Sequence, residues 1–118
     1  MKKLLFITFC LLGFLLSAKS QTIETSNDTI KLLLENDKMI VTEYVSNPGK
    51  DMCGIGKHSH NPHLTILLTD ATVLLTTEDG KSQNIEAKAG ATFWSDYETH
   101  SVINTGGKVV KAFLIEPK

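Results

Sequence analysis

The 118-residue chain contains no arginine. Its twelve basic side chains are all lysine, set against thirteen acids and four histidines for a net charge of −1. A mildly acidic chain without arginine is poorly suited to nucleic acid or to anionic membranes. Cysteine is nearly absent too, only Cys10 and Cys53. Missing as well are internal repeats, low-complexity tracts and, after residue 20, any long window with a 3.6-residue apolar period. Helical and repeat architectures are thereby disfavoured.

What is present begins with an export signal. Met1-Lys2-Lys3 is a short positive segment, Leu4 to Leu16 is almost wholly apolar, and Ala18-Lys19-Ser20 supplies small residues for cleavage before Gln21. Residues 1–20 read as a signal peptide whose apolar run is too short for a comfortable membrane span; a retained anchor is the alternative. Cys10 lacks the small residues that precede a lipidated cysteine, so it belongs to the signal. Loss of Lys2, Lys3 and Lys19 leaves nine lysines against thirteen acids, a mature net charge of −4. The expected destination is the periplasm or the extracellular space, with no membrane contact after processing. Cys53 then stands without a second cysteine, which excludes an internal disulfide in a compartment that would permit one. The 98 remaining residues suffice for one domain with a modest core.

Residues 21–29 are polar and read as a loose tail. Asn27-Asp28-Thr29 within it matches a glycosylation sequon on three residues only. From 30 onward, short β-prone segments alternate with turn signals, and strands are expected near 30–34, 39–46, 57–60, 64–69, 72–77, 82–87, 91–94, 100–104 and 109–115. Asp79-Gly80 is a two-residue hairpin signal, while Asn36-Asp37, Asn47-Pro48-Gly49 and Thr105-Gly106-Gly107 mark further turns. The expectation is an all-β sandwich or barrel over residues 30–118.

All four histidines fall in two short segments, 58-HSHNPH-63 and 98-ETHSVINTG-106. His58 and His60 stand two apart, which places both imidazoles on one face of an extended strand. His63 follows a proline, and His100 arrives from a distant segment. Imidazole is the commonest metal ligand near neutral pH, and sites built from it draw ligands from several strands. Metal binding is the first hypothesis. The plainer alternative, histidines on a solvated strand face, stays open at this level.

The chain also resembles the cupins. Their first motif runs Gly, five residues, His-x-His, three or four residues, Glu, six residues, Gly, and 54-GIGKHSHNPHLTILLTDA-71 is similar to it. The second runs Gly, five residues, Pro-x-Gly, two residues, His, three residues, Asn, and 90-GATFWSDYETHSVINTG-106 is similar to that. His58 and His60 match the paired histidines; Gly90, His100 and Asn104 match the second motif. The resemblance covers residues 30 to 117. It implies a single-domain jelly-roll barrel, or double-stranded β-helix, in which His58, His60 and His100 converge on one divalent metal (iron, manganese, zinc or nickel). It also implies a homodimer. Two departures stand out. The family's glutamate falls at Leu64 or Thr65, neither a carboxylate, and Pro-x-Gly is replaced within Ser95-Asp96-Tyr97-Glu98. The set therefore has three histidines, with His63 a candidate fourth.

Around that set, Trp94 and Tyr97 are candidates to line a small-molecule pocket together with Thr65 and Cys53, or else are core and loop residues. Asp96 and Glu98 could orient an imidazole through its second nitrogen, or simply be solvated. Cys53, in the loop 49-GKDMCGIG-56, could reach the metal, although a buried thiol usually behaves as a small hydrophobe. Asn104 is expected to serve the turn ending its strand. An exported metal-binding protein with a small anion as ligand is the first functional reading. A metal-dependent dioxygenase or isomerase and a metal-free barrel are the others. Only Lys57 lies beside the site to hold a carboxylate substrate, which favours binding over catalysis.

Overall fold

The computed structural model describes residues 22–25 and 28–118. The expected signal peptide, Cys10 and Asn27 lie outside the described residues. Those described form ten strands and no helix: β1 (Thr22–Thr25), β2 (Asp28–Glu35), β3 (Met39–Ser46), β4 (His58–His60), β5 (His63–Leu67), β6 (Ala71–Thr77), β7 (Ser82–Ala87), β8 (Thr92–Ser95), β9 (Glu98–Asn104) and β10 (Val110–Pro117). The nine strands expected from sequence are all there. β1 is additional and lies within the stretch read as a polar tail, where three of the four residues of Thr-Ile-Glu-Thr are β-branched and the segment pairs with β2.

Two antiparallel sheets result, a six-stranded one in the order β1-β2-β3-β10-β5-β8 and a four-stranded one in the order β4-β9-β6-β7. This is a jelly-roll. β1, β2 and β3 pair in sequence within the large sheet, and from β3 onward the chain crosses between the sheets at every link except that between β6 and β7. β6 and β7 do pair directly, through residues 78–81 rather than the two that Asp79-Gly80 suggested; the Gly80 amide donates to the Thr77 carbonyl, and Gly80 takes φ 86°.

The core follows the period of two. Along β9, His100, Val102 and Asn104 point inward; along β10, Val110, Ala112 and Leu114 do. Met52, Leu67, Ala71 and Val73 complete the packed centre. Each buried Val, Leu or Met side chain among these contributes roughly 1.5–3 kcal/mol relative to exposure.

One connection decides the site. Residues 47–57 link β3 in the large sheet to β4 in the small one, and their first half is sewn onto neighbouring strands. Ser46 Oγ donates to the carbonyls of Asp51 (2.8 Å) and Lys50 (3.2 Å). The Gly49 amide donates to the Asn104 carbonyl, the Asn104 amide to the Lys50 carbonyl, and the Met52 amide to the Val102 carbonyl. Asn104, fully buried, donates through Nδ2 to the carbonyls of Ser46 (3.1 Å) and Lys108 (2.8 Å) and accepts from the Gly106 amide (3.0 Å). It serves the turn after β9 and also holds β3 against that turn.

Candidate metal centre

Strand pairing sets the first contact. β4 and β9 run antiparallel with His58 opposite His100 and His60 opposite Glu98. Directly opposed residues project to the same face, so His58, His60 and His100 cluster there. Their ring centroids are 4.7 Å (His58–His60), 4.9 Å (His58–His100) and 5.3 Å (His60–His100) apart.

Cys53 joins them from the β3–β4 connection. Its sulfur lies 3.3 Å from His58 Nε2 and 3.6 Å from His100 Nε2. His58 Nδ1–H donates to the Gly56 carbonyl at 2.8 Å, which fixes the tautomer and leaves Nε2 with its lone pair toward the sulfur. Delivering the thiol requires an unusual backbone: Cys53 is the only non-glycine residue at positive φ among those described (58°). Gly54 follows for a steric reason, since a Cβ there would meet His58 Cγ at 2.7 Å and Nδ1 at 2.8 Å.

One ligand atom from each of Cys53, His58, His60 and His100 lies within 4.8 Å of all the others. In a tetrahedral zinc site, ligand atoms at ordinary bond lengths sit about 3.3–3.7 Å from one another. The two sulfur–nitrogen distances already match that edge. Burial, and then the neighbouring imidazoles, lower the pKa of both His60 and His100 to about 4, so each is neutral at pH 7, the form that ligates. His60 Nε2 is buried with no hydrogen-bond partner among the described residues. A buried polar atom without a partner costs about 1–3 kcal/mol, and a cation beside it would remove that cost. The residues present fit a divalent metal.

His63 lies outside this set. It is buried on β5, donates from Nδ1 to the Asn61 carbonyl at 2.7 Å, and sits 5.1 Å from His60, ring to ring. Between His63 and His100 stands Glu98, whose Oε1 is 3.8 Å from His63 Nε2 and 3.4 Å from His100 Nδ1. The latter nitrogen makes no hydrogen bond despite its proximity. Of the two carboxylates considered for orienting an imidazole, Glu98 is thus at hand, while Asp96 accepts from Trp94 Nε1 at 3.2 Å.

A cavity of about 350 Å³ opens between the sheets beside the cluster. Cys53, Thr65 and Trp94 line it, together with His63, Glu98 and His100. Tyr97 does not; it is 65 % exposed. Lys57 pairs with Glu78 at the surface (4.0 Å) and is also outside the lining. Sequence reasoning left Cys53 between ligand and small hydrophobe, and the structure places it both beside the imidazoles and against the core; the steric role of Gly54 was not foreseen. The signal for both was the run of glycines around a single cysteine, which marks backbone that must take left-handed conformations.

No protein-family model matches the chain, and no curated protein matches its sequence. Solved structures do. A cupin domain from Bordetella pertussis Tohama I is 24% identical, over 86% of this chain and 97% of its own, with a TM-score of 0.67. The polyketide cyclase RemF from Streptomyces resistomycificus is 17% identical over 86% and 74%, with a TM-score of 0.64. A predicted oxalate decarboxylase from Thermotoga maritima is 17% identical over 86% and 95%, with a TM-score of 0.59. The fold is that of the cupins, the double-stranded β-helix.

Proposed function

We propose that this is an exported cupin-fold protein that holds one divalent metal through His58, His60 and His100, with the Cys53 thiolate as fourth ligand. The convergence of these four donor atoms, one of them a buried imidazole nitrogen with no other partner, carries the reading. A thiolate in the set favours zinc over harder ions such as manganese. Four protein ligands fill a tetrahedron, the pattern of closed sites and not of open catalytic ones, which supports a binding or stabilising role. A metal-dependent small-molecule enzyme is the second reading. It is favoured by the cavity that shares Cys53 and His100 with the donor set, and solved neighbours with this fold include a polyketide cyclase. The exposed run Leu32-Leu33-Leu34 on β2 supports a homodimer.

The test uses the mature, untagged protein. One equivalent of zinc should bind, and cobalt(II) should show a thiolate charge-transfer band that Cys53→Ser removes. Alanine at His58, His60 or His100 should weaken zinc binding at least 100-fold, and at His63 less than tenfold. Absence of stoichiometric binding in the unsubstituted protein would refute the metal reading. Export has its own check: N-terminal sequencing of the secreted chain should begin at Gln21, and full-length chain retained in membranes would contradict it.

A further inference from the structure

The cavity beside the donor set has a chemistry of its own. Its walls are apolar, drawn from both sheets, with Leu67, Val73, Ile85 and Leu114 among them. Phe93 and Trp94 stand on the edge strand β8, 42 % and 56 % exposed, and Trp94 is held by its bond to Asp96. No lysine lines the cavity, and the one formally charged side chain that does is Glu98. A carboxylate or phosphate entering here would meet mostly hydrocarbon and a like charge, with the neutral donors Thr65 and Ser95 but no cationic side chain to offset its desolvation.

The metal does not reverse that balance. On the proposed reading, the two positive charges of the ion are offset by one from the Cys53 thiolate and one from Glu98, leaving the polar end neutral. We infer that the cavity binds an uncharged, largely apolar small molecule bearing one hydroxyl or similar donor, with the apolar body between the sheets and the donor on Glu98. At about 30 Å³ per water-sized group, 350 Å³ takes roughly a dozen non-hydrogen atoms. The small anion expected from sequence finds no counter-charge in this cavity. The inference rests on the metal reading only for the charge count; the lining stands without it.

The experiment uses Trp94, the only tryptophan of the chain, as reporter. Decahydro-2-naphthol and decahydro-2-naphthoate share the decalin ring system, do not absorb near 280 nm, and differ in charge. Each is titrated against metal-free and zinc-loaded mature protein, following Trp94 emission and melting temperature. The alcohol should shift the emission and raise the melting temperature in both forms, with at least tenfold preference over the carboxylate. Glu98→Gln should shrink that preference at least threefold. Ala87→Phe, which fills the cavity from a partly exposed position on β7, should abolish alcohol binding while the melting transition is retained. Equal or tighter binding of the carboxylate, or no response to either probe, overturns the inference. Zinc binding without any probe response defeats the ligand class alone, and probe binding without zinc binding defeats the metal reading alone.

Discussion

Cys53 and Gly54 divide one task between adjacent positions. The cysteine accepts a left-handed backbone, which costs a non-glycine residue on the order of 1 kcal/mol, so that its sulfur can face two imidazoles. The glycine leaves room for the ring of His58. Gly54→Ala should therefore displace that ring, and we expect zinc affinity to fall at least tenfold, measured by chelator competition, with the protein still folded by circular dichroism. Unchanged affinity would show that His58 contributes little. The sequence pointed to His58, His60 and His100 through strand periodicity and the two spaced motifs, and the fold brings them together. Cys53 was not legible in that way, since a single thiol in a glycine-rich loop has no period to reveal where it faces. Nor could spacing rank His63, because Pro62 breaks the strand before it and cross-strand register decides its place.

At the scale of elements, the short strand β4 has only β9 for a neighbour, and its position depends on the connection that precedes it. That connection is held by Asn104 and Ser46, both fully buried. Asn104→Ala would leave the carbonyls of Ser46 and Lys108 without their donor inside the protein. A loss of about 2–4 kcal/mol is expected from urea unfolding, together with weaker zinc binding, because Cys53 would no longer be held in place. A loss below about 0.5 kcal/mol would mean that water replaces the amide. The strands themselves were legible from β-branched runs and turn residues. Their sheet membership was not, because non-local pairing leaves no trace in local composition; the tail-like Thr22–Thr25 pairing with β2 shows how a polar run becomes an edge strand.

For the whole molecule, pH tests the buried imidazoles. His60 and His100 titrate near 4 when folded and near 6.5 in an unfolded chain. Between those values the unfolded chain binds more protons. Stability of the metal-free protein should therefore be full above about pH 6.5, decline as pH falls toward 4, and level off below. The loss is on the order of 3 kcal/mol per histidine. Urea midpoints at pH 7, 5.5 and 4 measure it, and a flat profile would show that these rings are solvated. Bound zinc should raise stability at pH 7 by RT ln(1 + [L]/Kd), several kcal/mol at saturation.

The three imidazoles all project from adjoining strands of the same sheet, and the sulfur from the link that leads into it. An ion there fastens one shell of the molecule to its own hinge and leaves the other shell alone. Amide hydrogen exchange should record this as a slowing confined to residues 50–60 and 98–102 on zinc loading, with β2, β3 and β10 exchanging as before. β8, with Phe93 and Trp94, belongs to the shell that such an ion would not touch, while Cys53 and His100 face both the ion and the cavity.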